Sequence, residues 1–235
     1  MKVLITGAAG QLGVELVQHC IEMGDDVVAA DRSVMDITDT VAVDALLARH
    51  RLDAVINTAA YTAVDACETN VATAELVNGI AVGIVRAACE KVGAHLVQVS
   101  TDYVFDGTLN RPYVETDETN PQSVYGRTKL AGEIAAGSGA SVARTSWVCS
   151  EYGNNMVKLI LRLAAEDTPL VFVNDQHGHP SFTADLAPAL RMLAIERTAG
   201  KFHLTNGGVV SWFDFVGDIL EVAGYDRRRV SPIAT

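Results

Sequence analysis

The sequence predicts an α/β fold, a doubly wound parallel sheet with a smaller α/β lobe appended. Three observations carry this expectation. Apolar runs of strand length alternate with helix-period segments through residues 1–148. Those runs are nearly continuous in Val, Ile and Leu, as strands covered on both faces must be. The first run leads directly into a glycine-bearing turn and then a helical pattern.

In order, Lys2–Thr6, Asp26–Ala30, Asp53–Asn57, His95–Ser100 and Ser141–Thr145 read as strands. Gln11–Met23, Asp39–Arg49, Ala74–Val92 and Val124–Ala136 read as the helices between and around them. After residue 148 the alternation loosens. Asn155–Glu166 reads as a helix, Leu170–Val173 as a short strand, Ala184–Glu196 as a helix and Lys201–Leu204 as a strand. Ser211 opens a last helix to Ala223, with Asp214 placed as in a capping box. Residues 149–235 are therefore expected to form the smaller, substrate-binding lobe, and residues 1–148 the Rossmann-like domain. Such sheets bind ligands at the carboxyl ends of their strands, which selects the loops to read closely.

The 235 residues are 49% hydrophobic and 20% charged, the balance of a globular chain. A net charge of −11 opposes nucleic-acid and anionic-membrane binding, since both need a basic surface. No apolar stretch is expected to approach the roughly 20 residues needed to span a bilayer. The first strand begins at Lys2, which leaves no room for a signal peptide. Cys20, Cys67, Cys89 and Cys149 show no paired spacing and suit reduced thiols in a cytoplasmic protein.

Between the first strand and first helix lies Gly7-Ala8-Ala9-Gly10-Gln11-Leu12-Gly13. Glycines there let the chain turn tightly and bring N–H groups and a helix N-terminus to a pyrophosphate. The second strand ends in Asp31, where a carboxylate can accept from both hydroxyls of an adenosine ribose. Strand, glycines, helix and strand-end acid together describe a dinucleotide site. Asp31 disfavours a 2′-phosphate while Arg32 offsets that repulsion, so NADH and NADPH both stay open. The third strand ends in Asn57-Thr58-Ala59-Ala60-Tyr61-Thr62, whose small residues at Ala59 and Ala60 let a cofactor lie against backbone.

The fourth strand runs into Ser100-Thr101-Asp102-Tyr103, and Tyr125-Gly126-Arg127-Thr128-Lys129 follows at the head of a helix. Tyr125 and Lys129 stand at i and i+4 on one face. A free phenol titrates near pH 10, and a neighbouring ammonium is expected to lower that value. Tyr125 can then protonate a carbonyl oxygen as hydride reaches its carbon, with Thr101 hydrogen-bonding the same oxygen. His177 and His179 beside Asp175 read as loop lining rather than a metal site.

The segments TGAAGQLG, NTAAYTAVD, STDYVFDG, YGRTKLAGE, RTSWV and NDQHGHPS, in this order, resemble the dTDP-4-dehydrorhamnose reductases. These belong to the extended short-chain dehydrogenases, and the likeness spans essentially the whole chain. The resemblance implies reduction of the 4-keto group of dTDP-4-dehydro-6-deoxy-L-mannose, giving dTDP-L-rhamnose, with NADPH or NADH. It places Gly10, Gln11 and Leu12 at the pyrophosphate, Asp31 at the ribose, Asp36 and Ile37 beside the adenine, and Ala60, Tyr61 and Thr62 along the cofactor. It makes Tyr125 the proton donor, Lys129 the partner of the nicotinamide ribose, and Thr101 the residue that tunes both Tyr125 and the carbonyl. Thr62, Val64, Thr101, Asp102, Tyr103, Tyr125, Trp147 and Asn155 would meet the dTDP-sugar. For Trp147 a core indole, and for Asn154 and Asn155 a plain helix cap, are equally open readings of the residues themselves.

The likeness departs from the family at Pro180-Ser181, where Pro-Thr is usual, and in length, since relatives continue some tens of residues beyond a position such as Thr235. The family also implies a monomer or homodimer, with Mg²⁺ possible but without ligands that can be carried over. Two other readings are a sugar-nucleotide epimerase or dehydratase, and a non-catalytic subunit like the β subunit of methionine adenosyltransferase. The first tends to need a larger lobe than residues 149–235 supply. The second shares the STDYVFDG-like and YGxTK-like segments but lies further from TGAAGQLG and RTSWV.

Overall fold

A computed structural model of the chain describes residues 1–166 and 168–235. In chain order its first half contains β1 (Lys2–Thr6), α1 (Gln11–Glu22), β2 (Asp26–Ala30), α2 (Thr40–His50), β3 (Ala54–Asn57), α3 (Val64–Thr69), α4 (Val71–Ala74), a π-helical segment Glu75–Ile80, α5 (Ala81–Val92) and β4 (His95–Thr101). There follow α6 (Val124–Ala136), β5 (Ser141–Thr145), β6 (Val148–Cys149), α7 (Met156–Ala165), β7 (Leu170–Val173), β8 (His177–Gly178) and β9 (Ser181–Phe182). The chain closes with α8 (Thr183–Glu196), β10 (Gly200–His203), β11 (Val210–Ser211), α9 (Trp212–Val222) and β12 (Val230–Ile233).

Six parallel strands form the main sheet in the order β10-β5-β4-β3-β1-β2. Successive strand residues point to opposite faces, and the two faces bury different sets. Leu4, Val55, Leu96 and Val142 pack with Val43, Leu47, Val82 and Val85 of α2 and α5. Val3, Ile5, Ala54, Ile56, Val97 and Ala143 pack with Leu12 and Leu16 of α1 and with Leu186 and Leu190 of α8. Both faces are covered, which explains the near absence of polar alternation in these strands. Across the sheet runs a buried polar ladder. Thr6 Oγ1 donates to Asn57 Oδ1, Asn57 Nδ2 donates to Gln98 Oε1 at 2.6 Å, and Gln98 Nε2 to the Val99 carbonyl at 2.8 Å.

Not everything after residue 148 leaves this sheet. β10 pairs with β5 as its edge strand, and α8 packs beside α1, where Arg191 binds Asp25 at 2.6 Å. The lobe proper has α7 and α9 around β12 and β7, which pair in parallel, with Ile160, Leu170, Val216, Leu220 and Val230 as its core. Two small ribbons, β11 with β8 and β6 with β9, join it to the main sheet.

The helix expected from Ala74 begins at Val71 and runs unbroken to Val92 through the π segment. At 22 residues and a mean hydropathy of 1.4 it is long and apolar enough to cross a bilayer, contrary to the expectation that no such stretch exists. Glu75 and Arg86 interrupt the run in sequence, which hid its length. Ala81, Val82, Val85, Ala88 and Cys89 are all buried in the core beside the sheet.

One buried ion pair anchors α6 to the sheet. Glu133 accepts from Arg144 Nε (2.9 Å) and Nη2 (2.7 Å) of β5 and from Ser100 Oγ (2.6 Å) of β4. The two charged side chains are 1% and 2% exposed. Breaking such a pair leaves a charge buried and uncompensated. Glu133→Ala is therefore expected to cost about 3–5 kcal/mol of unfolding free energy, read from the shift of the denaturant midpoint. The double replacement Glu133→Leu with Arg144→Met should cost far less; an equal loss would contradict this account.

Candidate active site

Because β1 and β3 are neighbours, the connection from β1 leads one way across the sheet and that from β3 the other. The carboxyl ends of these strands thus border a crevice at the point where strand order reverses. A cleft of about 700 Å³ opens there. Every expected cofactor and substrate residue except Asn155 lines it: the Gly7 to Gly13 turn, Asp31 to Ile37, Ala59 to Val64, Thr101 to Tyr103, Tyr125, Lys129 and Trp147 all contribute.

The glycines are sterically required. Gly7 has φ of 64°, and a Cβ on it would lie 2.8 Å from the Ala59 nitrogen. A Cβ on Gly13 would lie 2.2 Å from the Gly7 carbonyl oxygen, so α1 can approach the turn only without a side chain there. The cradle therefore has bare backbone at the N-terminus of α1, the arrangement that fits a pyrophosphate. Gln11, the first residue of α1, carries a buried Oε1 with no protein partner. Asp31 accepts from the Ser33 N–H (2.8 Å) and hydroxyl (2.6 Å) and from the Val34 N–H (3.2 Å), all at Oδ1. The Ser33 hydroxyl, before the two N–H groups, holds this carboxyl below its ordinary value, and Oδ2 takes none of these bonds. Arg32 is largely exposed and rests on Asp36 at 3.3 Å.

At the far side stands the chemical group. Thr101 Oγ1 donates to Asp102 Oδ1 at 3.0 Å and accepts from the Tyr103 N–H at 3.2 Å. Its hydroxyl lies near enough to the Tyr125 phenol to act on that group's titration. Burial pushes the Asp102 carboxyl up to about 6 against the lowering effect of Thr101. Lys129 lies on the same face of α6 as Tyr125, is buried, and donates from Nζ to the Val99 carbonyl at 2.7 Å. Desolvation lowers its amine to about 8, while Glu133 one turn on opposes that shift.

The expected lowering of Tyr125 does not appear. Burial pushes the phenol up, and the nearby Asp102 carboxylate pushes it further, with only the Thr101 hydroxyl acting downward. Lys129 meanwhile spends a proton on Val99 rather than on the phenol. The consequence is a phenol firmly protonated at neutral pH.

Two residues that sequence reasoning missed hold or wall the site. Asn78, in the π segment and 1% exposed, accepts from the Tyr61 N–H (2.8 Å). It donates to the Tyr61 carbonyl (3.0 Å) and to Thr128 Oγ1 (3.2 Å). It thereby clamps the β3 loop to the helix that carries Tyr125. The signal was a polar residue followed by Gly79 inside an apolar helix. Trp212, at the head of α9, also lines the cleft and stacks on Trp147, with ring centroids 3.7 Å apart and planes 15° apart. Asn155 is not at the cleft: its side chain caps α7 by accepting from the Lys158 N–H and donates to the Ser150 carbonyl at 2.6 Å. Among the described residues no three His, Cys, Asp or Glu side chains gather as metal ligands, so nothing answers to the Mg²⁺ expectation.

Comparison with known proteins agrees with this geometry. A dTDP-4-dehydrorhamnose reductase of Mycobacterium tuberculosis is 45% identical over 243 aligned residues, covering 100% of this chain and 79% of that protein. The crystal structure of a dTDP-4-dehydrorhamnose reductase from Clostridium acetobutylicum superposes with a TM-score of 0.96 at 41% identity, covering 100% of this chain and 84% of the other. That of Bacillus anthracis, in complex with NADP, does so with 0.95 at 36% identity and the same coverage. The family model described as RmlD substrate binding domain matches residues 1–235, and the chain belongs to that family.

Proposed function

We propose that the chain is an NAD(P)H-dependent dTDP-4-dehydrorhamnose reductase, reducing the 4-keto group of a dTDP-linked 6-deoxysugar. The observation that carries this reading is the meeting of two halves in one cleft: the Gly7 to Gly13 cradle for a dinucleotide, and the Thr101, Tyr125 and Lys129 group for a carbonyl. The relatives named as this reductase, one of them solved with NADP, support it.

The reduced nicotinamide supplies hydride to the carbonyl carbon. What the chain supplies is a proton and its placement. Tyr125 donates its phenolic proton to the carbonyl oxygen, and burial keeps that proton in place until it is needed. Thr101, beside the phenol in the same cleft, hydrogen-bonds the same oxygen. Lys129 binds the nicotinamide ribose and stabilises the phenolate left behind, exchanging its bond to Val99 for these partners. Gln11 and the N-terminus of α1 take the pyrophosphate, and Asp31 takes the adenosine ribose. Asp102, Tyr103 and Trp147 receive the sugar, and Thr62 and Val64 line its approach. The test is turnover: given dTDP-4-dehydrorhamnose, the chain should consume NADH or NADPH, and consumption of neither would refute the reading.

Three outcomes are expected of variants. Tyr125→Phe should lower kcat by about 10²–10⁴ while dinucleotide affinity, measured by fluorescence titration, stays unchanged. Asp31→Asn removes the charge facing a 2′-phosphate and should move the NADPH-to-NADH preference by about tenfold, which corresponds to about 1.4 kcal/mol. Lys129 bears on stability with a definite sign. Its amine falls from an ordinary 10.5 to about 8 in the fold, so the cost of burying the charge is full below about pH 8. That cost fades as the pH rises toward 10.5 and is absent above it. Relative to Lys129→Met, wild type should therefore gain stability between pH 8 and 10.5, measured by paired denaturant titrations; a flat difference would contradict the assignment.

A further inference from the structure

We propose that Trp212, carried by the smaller lobe, is a specificity-determining residue that completes, with Trp147, an indole wall for the apolar face of a 6-deoxyhexose. The inference rests on the reductase reading and adds to it a second aromatic residue and a reason for the deoxysugar. Trp212 stacks on Trp147 at 3.7 Å between centroids, and both rings line the cleft. Trp212 covers one face of Trp147, and both indoles contribute surface to the cleft.

Three features show that the pair is built as a unit. Trp147 has φ of 44°, a left-handed conformation that costs energy in a bulky residue and persists only where its surroundings impose it. Gly178 lies against the same indole, and a Cβ on it would come within 2.6 Å of Trp147 Cε2. Gly178 belongs to β8, which pairs with β11, and Trp212 follows β11 directly. One ribbon therefore sets both the glycine and the tryptophan that pack against Trp147. Phe215, nearly buried, backs the two rings at about the same centroid distance, 6.3 and 6.2 Å.

The faces of the two indoles offer carbon to the cleft, and their own polar atoms are the Nε1–H groups, which lie in the ring planes. The Ser146 hydroxyl beside them already donates to the His179 carbonyl at 2.7 Å. A methyl group at C6 and the C–H face of a pyranose suit such a surface, whereas a C6 hydroxyl buried there would lose its water partners. The pair thus favours 6-deoxy over 6-hydroxy sugars.

The chain has only two tryptophans, so its intrinsic emission reports on this pair alone. Wild-type protein would be titrated with dTDP, dTDP-6-deoxy-D-glucose and dTDP-D-glucose, which differ only at C6, following tryptophan emission, and the same done for Trp212→Leu and Trp212→Phe. In wild type, the 6-deoxy sugar nucleotide should bind about 10–100-fold more tightly than dTDP-D-glucose. Trp212→Leu should collapse that ratio and raise KM for the keto sugar with kcat nearly kept, while dTDP affinity is unchanged. Trp212→Phe, the safer variant for folding, should restore part of the ratio, and Gly178→Ala, whose Cβ would press on Trp147, should erode it. An unchanged ratio in Trp212→Leu or Trp212→Phe, or an equal loss for dTDP and both sugars, would overturn the proposal. Turnover of the keto sugar by wild type tests the reductase reading separately, so the two can fail independently.

Discussion

The site depends on the buried pair between Glu133 and Arg144. Tyr125 and Lys129 stand on a helix, while Thr101 and Asp102 stand at the end of a strand, and a reaction carried by the four would need the two elements to hold register within a fraction of an ångström. Glu133 stands one turn beyond Lys129, grips Arg144 of β5 with both oxygens, and takes the Ser100 hydroxyl next to Thr101. Three elements thus meet at one carboxylate. The same charge moderates the desolvation of Lys129, so the ion pair sets the electrostatics of the amine as well as its position.

A chain with a net charge of −11 that binds phosphates faces an unfavourable overall field. The cleft answers locally. Backbone N–H groups at the head of α1, exposed by glycines that admit no side chain, act at contact distance, where distant carboxylates are screened. Asp31, lowered by Ser33, remains ionised and suits a ribose, while Arg32 sits at the mouth on Asp36 and can turn toward a 2′-phosphate.

Much of this was legible in the residues. The strand–helix alternation located all five early strands, and the glycine turn, Asp31, Tyr125 and Lys129 could be read because each is a short-range pattern with a physical reason for its spacing. What escaped reading depended on tertiary contact. Asn78 is a polar residue in an apolar helix until the fold lays Tyr61 and Thr128 against it. Trp212 begins a helix far from Trp147 in sequence and meets it only through the β8–β11 ribbon. The direction of the Tyr125 shift was missed for a similar reason, since helical spacing places an amine near the phenol but says nothing of the burial of that phenol, of a carbonyl that accepts the amine's hydrogen bond, or of the carboxylate of Asp102.

The return of the chain to the main sheet at α8 and β10 has a mechanical consequence. Between β5 and β11 the backbone passes from sheet to lobe, back, and out again, so three tethers join the two bodies. Trp147 lies on the first tether and Trp212 just past the third. The stacked indoles therefore sit where these crossings converge, so the aromatic wall is built into the joints between sheet and lobe rather than carried on the lobe's far side.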